Sequence, residues 1–359
     1  MPSKHLLHVF PTFAVGGSQI RFAQLARLLG TRHRHTVIAL DGNTDMAGRL
    51  TGLPVICHEL QFDKRKIFDS WRRFRATLRA IRPDVLFTYN WGAVEWALIN
   101  RLEGVARHIH VEDGFGPEEA EKQLLRRIWT RRLALSGKST VVVLPSRNLE
   151  QIALGPWSLS PDRVRFVPNG VDCTRYAVPT RTIASGRTVI GTVASLRREK
   201  NIARLMRAFA ELAGRRQDGA LELLIVGDGV ERDGLERLAR ELNLAGRVRF
   251  AGQSDRPEDW YPRMDIFALS SDTEQMPLSV LEAMAAGLPV VATAVGDVAQ
   301  MVSEENRKFV VPVEEFSTAL ARLAGDGTHQ RKIGLANERK ARESFDEKSM
   351  AERYAALIG

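Results

Sequence analysis

Two carboxylates eight positions apart, Glu274 and Glu282, stand in the stretch TEQMPLSVLEAMAAGLPVVATAVGD, Thr273–Asp297. Glu274 lies on the loop leaving an apolar run, MDIFALSS. Glu282 lies one turn inside a helical pattern whose apolar face is Leu278, Leu281, Met284 and Ala285. Pro277 suits the first turn of that helix, where its missing N–H costs little. Gly287 suits the position just past the helix end, and Pro289 prevents continuation. The first N–H groups, near Met276, Leu278 and Ser279, lack carbonyl partners within the helix and form a ready site for an anion. With a phosphate there, Glu282 can accept hydrogen bonds from a diol such as a ribose, and Glu274 lies beyond it, where a sugar would sit. The plainer reading is a helix-start carboxylate plus a solvated glutamate. Spacing alone leaves both open.

Other loops carry groups of the same kind. FAVGGSQI sets Gly16 and Gly17 between a first strand and a helix starting near Ser18, so the backbone can approach a ligand closely. RHIHVEDGFG brings His110, Glu112 and Asp113 to a strand end, with Gly114 and Gly116 supplying freedom. Alternation along a strand points His110 and Glu112 one way and Asp113 the other, which disfavours a shared metal ion. Asn90 and Trp91, after DVLFTY, read as a further cleft loop. In IVGDGVERDG, Gly227, Gly229 and Gly234 imitate a dinucleotide loop, but Arg232 stands where the motif spacing needs glycine.

The elements that must hold these groups repeat along the chain. HLLHVF, TVIAL, DVLFTYN, RHIHV and TVVVLPS read as strands in the first half. TVIGTVAS, ELLIVGDG, RVRFAG, DIFALSS and PVVATAV repeat the pattern in the second. Continuous apolar runs between helices imply parallel strands buried on both faces, hence two Rossmann-like, doubly wound α/β domains. The break is expected in YAVPTRTIASG, Tyr176–Gly186, with domains over 1–175 and 176–344 and a central cleft between them. At 359 residues, 44% hydrophobic and 26% charged, the chain has the composition of a globular two-domain protein. It shows no apolar run of about 18 residues and no signal-peptide pattern, so the expected location is the cytoplasm. Cys57 and Cys173 are too few for a disulfide framework or a thiolate metal cluster.

At this point the motifs resemble a known family. Glu274-x7-Glu282 followed by AMAAGLPVVATAVGD is similar to the signature of retaining glycosyltransferases of family 4, which have the GT-B fold. VPNGVD (Val167–Asp172), ASLRREKN (Ala194–Asn201), LLIVGDG (Leu223–Gly229) and RVRFAG (Arg247–Gly252) occur in the family's order. The resemblance implies that Glu282 binds the donor ribose and that Glu274 contacts sugar hydroxyls. It implies that backbone from Gln275, Met276, Pro277 and Leu278 holds sugar and pyrophosphate. Lys200 is implied as the diphosphate cation, with Arg197 as a second. Gly16, Gly17 and Gly229 are implied at the donor, His110 and Asp113 near the reacting sugar, and Glu112 with Asn90 and Trp91 toward the acceptor. No metal or cofactor is implied, the substrate being a nucleotide-sugar, UDP-linked before GDP-linked. In similar proteins the last segment, about 345–359, crosses back to the first domain. Two departures stand out. Gln275-Met276-Pro277 replaces Gly-Phe-Gly, and Ser195 stands where many relatives carry an arginine.

The net charge of +9 is uneven: residues 1–180 hold 26 Lys/Arg against 16 Asp/Glu. KRKIFDSWRRFRATLRAIR (Lys64–Arg82) sets Ile67, Trp71, Phe74, Leu78 and Ile81 at helical spacing amid arginines. KQLLRRIWTRR (Lys122–Arg132) adds Ile128 and Trp129. Packing of these stripes on a sheet is the simple expectation. The sharper one is peripheral docking on an anionic membrane, near a saccharide or lipid-linked acceptor. No nucleic-acid-binding signature accompanies the charge, which leaves a basic nucleic-acid-binding protein as a distant rival. A nucleotide-sugar 2-epimerase or a phosphorylase of the same fold is a nearer one. The expected function is hexosyl transfer in polysaccharide or glycolipid synthesis.

Overall fold

The computed structural model describes residues 3–58, 60, 67–119, 122–178, 187–215 and 221–359. The chain divides into an N-terminal unit, Met1–Asn169 with Lys348–Gly359, and a C-terminal unit, Gly170–Glu347. Lys64, Arg65 and Lys66 of the first basic segment lie outside the described residues, as does 179–186 of the expected break.

The N-terminal unit is a seven-stranded parallel sheet: β1 His5–Phe10, β2 Arg34–Ala39, β3 Val55–His58, β4 Val85–Tyr89, β5 Arg107–Val111, β6 Thr140–Leu144 and β7 Val164–Phe166. Its strand order is β3-β2-β1-β4-β5-β6-β7. Central β4 is buried along its whole length, whereas edge β3 has half-buried and exposed residues in alternation. This is the pattern expected where helices cover both faces of the middle strands. The helices are α1 Gly17–Leu29, α2 Ile67–Ile81, α3 Val94–Glu103, α4 Leu125–Leu135 and α5 Arg147–Leu154. The stripe of α2 packs inward: Phe74 and Leu78 are buried, and Phe74 lies 4.6 Å from the Trp96 ring of α3. On α4 the expected packing holds for half-buried Ile128 but not for Trp129, which is 64% exposed.

The C-terminal unit is a six-stranded parallel sheet: β8 Thr188–Val193, β9 Leu221–Val226, β10 Val248–Gly252, β11 Ile266–Leu269, β12 Val290–Thr293 and β13 Val310–Val311, in the order β10-β9-β8-β11-β12-β13. Its helices are α6 Ile202–Arg215, α7 Arg232–Glu241, α8 Leu278–Ala285, α9 Val298–Met301, α10 Phe316–Ala324 and α11 Gly327–Ser344. The last helix, α12 Glu347–Ile358, buries Met350, Ala351, Tyr354 and Ile358 in the core beneath β1, β4 and α1 of the N-terminal unit.

The division falls at Asn169/Gly170 and Glu347/Lys348 rather than at 175/176 and 344/345. Val171 donates to the Phe345 carbonyl at 2.8 Å, and Glu347 donates back to the Val171 carbonyl at 3.1 Å. These bonds make both crossing segments part of the C-terminal unit. Each sheet reverses its strand order once, between β1 and β4 and between β8 and β11. In doubly wound sheets ligands collect beyond the strand ends at such a reversal. The loops that matter are therefore those after β1, β4, β8 and β11.

Candidate active site

In the C-terminal unit the loops after β8 and β11 are stitched together. Asp272 N–H donates to the Glu199 carbonyl at 2.8 Å, and Ser270 Oγ to the Lys200 and Asn201 carbonyls at 3.1 and 3.0 Å. Arg204 of α6 donates to the Ser270 carbonyl and to the Asp272 carboxylate, each at 2.7 Å. On this base Lys200 Nζ meets Glu274 Oε1 at 2.5 Å, and Ser271 Oγ donates to the same oxygen at 2.7 Å. The Lys200 and Glu274 side chains are 19% and 10% exposed.

The helix carrying Glu282 opens at Leu278. Pro277 (φ −68°, ψ 124°) is the extended residue before it, one position earlier than its spacing predicts. Gly287, with φ 68°, adopts the left-handed conformation expected past the helix end. Half-buried Glu282 accepts a hydrogen bond on Oε2 from the Tyr261 hydroxyl at 2.5 Å. Burial pushes its carboxyl up, and the hydroxyls of Tyr261 and Tyr176 act in the opposite direction. The two tyrosine rings pack edge to face, 5.5 Å apart. Neither tyrosine is signalled by the glutamate spacing, because both come from distant loops.

Two features around Glu274 bear on the expected roles of Met276 and Arg197. The Met276 side chain is buried in the core with Val280 and Met284, so Met276 can offer a ligand only its backbone. Arg197 does not join Lys200: it is 59% exposed, pairs with Glu199 at 3.1 Å, and lines a cavity of about 280 Å³ with Arg198, Glu231 and Asp272. The Gln275 carbonyl accepts from Asp297 N–H at 2.9 Å. Gly229 (φ 157°) has a packing reason to be glycine, since a Cβ there would stand 2.5 Å from the Leu196 carbonyl oxygen.

In the N-terminal unit, Gly16 precedes α1 and Gly17 opens it, with nothing near the position a Gly17 Cβ would take. Asn90 Oδ1 accepts from the Asp113 N–H at 2.7 Å. Asp113, 20% exposed, is gripped by both terminal nitrogens of Arg21, which also donates to Asn169 Oδ1 at 2.9 Å. Burial works against the Arg21 cation, but Asp113 more than offsets it and the pKa is raised. Arg21 escaped the sequence reading; its signal is an arginine on the apolar face of α1 beside Phe22 and Leu25.

His110 and Glu112 lie in a buried side-chain network. His110 is fully buried, with Nδ1 at 2.8 Å from Thr88 Oγ1 and Nε2 at 3.5 Å from Glu112 Oε2. Glu112, also fully buried, accepts from Arg131 Nε at 3.2 Å, and Arg131 continues to Glu119 at 3.0 Å. The Arg131 guanidinium lies 4.9–5.2 Å from the ring centres of Trp91, Phe115 and Trp157. Strand alternation does separate the two directions, with His110 and Glu112 facing Arg131 and Asp113 facing Arg21. Trp91 thus belongs to the wall around Arg131. Among the described residues no group of three His, Cys, Asp or Glu is arranged to hold a metal ion.

Comparison with known proteins places both units. Residues 15–175 match the model described as Glycosyltransferase Family 4, and residues 187–326 the model described as Glycosyl transferases group 1. The chain is 34% identical over 191 residues to D-inositol 3-phosphate glycosyltransferase of Nocardia farcinica, covering 48% of this chain and 42% of that protein. It is 28% identical over 162 residues to the lipopolysaccharide core biosynthesis glycosyltransferase LpsE of Rhizobium meliloti, covering 44% and 46%. The chain spans about half the length of the curated relatives it matches. Among solved structures it is similar to Anabaena Alr3699/HepE in complex with UDP, with TM-score 0.82, 17% identity and 99% of each chain covered. It is also similar to WaaG, a glycosyltransferase involved in lipopolysaccharide biosynthesis, with TM-score 0.77, 19% identity and 99% of each chain covered. These structural likenesses carry the fold. With a family model on each unit and two Rossmann-like parallel sheets, the chain belongs to the family 4 glycosyltransferases of the GT-B fold.

Proposed function

We propose that the protein is a retaining, metal-independent hexosyltransferase. It takes a sugar from a nucleotide donor, UDP-linked before GDP-linked, and passes it to a saccharide or lipid-linked saccharide during cell-surface polysaccharide or glycolipid synthesis. The observation that carries this reading is the pairing of Lys200 with Glu274 on the loop that leads into α8, the helix that carries Glu282. Lys200 and the first N–H groups of α8 take the diphosphate, whose charge grows as the sugar departs. Glu282 takes the ribose diol, and Glu274 the sugar hydroxyls. The acceptor oxygen attacks the anomeric carbon on the face the nucleotide leaves. As that bond forms, the bond from sugar to phosphate breaks, and the departing phosphate oxygen accepts the acceptor's proton. Of the N-terminal trio we take Asp113, the partly exposed one, to meet substrate, with Arg21 fixing its direction. The UDP-glucose complex of Alr3699/HepE supports the choice of donor.

Thermal unfolding with UDP-, GDP- and ADP-sugars tests this. A UDP-sugar at about 100 times its Kd should stabilise the protein by about 2.7 kcal/mol. No shift with any nucleotide-sugar would refute the reading. Conversion of the donor in the absence of acceptor would favour an epimerase instead.

We further propose that the enzyme works at the cytoplasmic face of a membrane, docked through α4. No helix among the described residues is long and apolar enough to cross a bilayer. Leu125, Trp129 and Leu133 follow one another at four-residue steps on α4 and are 70%, 64% and 55% exposed. Arg126 and Arg132 are exposed on the same helix, and among the described residues neither has an ion-pair partner; Arg132 stacks 5.3 Å from the Trp129 ring. Inward Arg127 and Arg131 are paired with Glu118 and Glu119. An exposed Trp flanked by arginines suits an anionic lipid interface. The protein should sediment with phosphatidylglycerol vesicles, and Arg132→Ala should weaken this about fivefold, at roughly 1 kcal/mol per basic residue. Equal binding to neutral vesicles would count against it.

A further inference from the structure

The pair Lys200–Glu274 has a consequence for which ligand the site retains. The backbones beneath the two side chains are tied to each other: Asp272 to Glu199, Ser270 to Lys200 and Asn201, and Arg204 to Ser270 and Asp272. On the other side, a Gly296 Cβ would stand 2.6 Å from the Gln275 carbonyl oxygen, and Asp297 N–H is bonded to that carbonyl. Ser271 Oγ holds Glu274 Oε1 at 2.7 Å. The group free to move is the Lys200 ammonium on its flexible four-carbon stem.

We infer that the ion pair of Lys200 and Glu274 discriminates between an intact nucleotide-sugar and the nucleoside diphosphate left after transfer. The inference rests on the proposed donor site and adds a specificity role to Glu274. A diphosphate that recruits Lys200 draws its charge away from Glu274, the partner it now serves. The carboxylate, 10% exposed, is then left with the Ser271 hydroxyl as its remaining bond among the described residues. An under-satisfied, mostly buried carboxylate opposes binding. The sugar of an intact donor removes that penalty, because its hydroxyls donate to Glu274 in place of the ammonium. Once the sugar has been transferred the penalty returns. The diphosphate then competes with Glu274 for Lys200, and its release is favoured.

Calorimetric titration of UDP and UDP-glucose into wild type, Glu274→Gln, Lys200→Met and the double variant tests this. Glutamine keeps the size and the hydrogen-bonding reach of glutamate but cannot hold Lys200 as an ion pair. Glu274→Gln should bind UDP about five- to tenfold more tightly than wild type, while its UDP-glucose affinity stays level or falls. In the Lys200→Met background the same change should alter UDP affinity less than about twofold, since the coupling runs through the lysine. Wild type that binds UDP, with UDP affinity unchanged or weakened in Glu274→Gln, overturns the inference and leaves the proposed function standing. Wild type that binds neither UDP nor UDP-glucose overturns the UDP-sugar donor and this inference together. Tightening of UDP by Glu274→Gln that persists in the Lys200→Met background shows simple charge repulsion and also overturns it.

Discussion

Arg131→Met is expected to destabilise the N-terminal unit by about 3–5 kcal/mol, the usual cost of removing one partner from a buried ion network. Arg131 is fully buried and serves two carboxylates, Glu112 at 3.2 Å and Glu119 at 3.0 Å. Glu119 keeps Arg127 at 3.1 Å after the substitution, but among the described residues Glu112 keeps only the long contact to His110. Its other oxygen, Oε1, is buried without a hydrogen-bond partner among the described residues. The present network holds the Glu119 carboxyl low: burial would raise it, but hydrogen bonding and charge from Arg131 prevail. Adding Glu112→Gln to Arg131→Met should restore a good part of the loss, because the uncompensated charge goes with it. Urea unfolding followed by circular dichroism measures both. A loss below about 1 kcal/mol for the single variant would mean the network is not holding this loop.

Acidification should unfold the same unit well before carboxylates titrate. His8, His35 and His108 are buried, and burial lowers the pKa of each, to about 4 for His35 and about 3 for His108. His8 Nε2 lies 3.0 Å from His35 Nδ1 and its Nδ1 lies 3.1 Å from the Tyr89 hydroxyl, and among the described residues no carboxylate is bonded to either imidazole. The sign follows from proton counting. Above pH ~6.5 both folded and unfolded chains carry neutral imidazoles, and the stability is fully present. Below it the unfolded chain takes up protons that the folded chain refuses, so stability falls as pH falls toward the folded values. Three such groups give a slope of up to about 4 kcal/mol per pH unit, against a typical stability of about 5–15 kcal/mol. Seven of the eight histidines lie in the N-terminal unit, so the loss should be concentrated there. Denaturant midpoints at pH 7.5, 6 and 5 would show it, and a midpoint flat down to pH 5 would contradict it.

The fold was largely legible in the chain. Central strands are nearly continuous apolar runs because both of their faces are covered, and HLLHVF, RHIHV and LLIV announce themselves in that way. The edge strands β3, β7 and β13 were missed. They are four, three and two residues long, and partial exposure removes the run that would mark them. The break was expected six residues late because the bonds from Val171 to Phe345 and Glu347, nearly the whole C-terminal unit apart in sequence, decide it.

For the site, the sequence alone determined which local pieces exist: a glutamate on the loop after a strand, a second one turn into a helix, and a lysine on another strand's loop. Motif order supplied their kinship, and helix geometry supplied the exposed N–H groups. Only the tertiary structure decided which pieces meet. It brought Lys200 onto Glu274 across 74 residues and Tyr261 onto Glu282, and sent Arg197 elsewhere. It turned His110 and Glu112 inward to Arg131 and left Asp113 on Arg21. Residue type and spacing give the period along one element, but the parallel sheet sets which loops lie beside each other at its strand ends. That order follows from the packing of the whole unit, which no single stretch encodes.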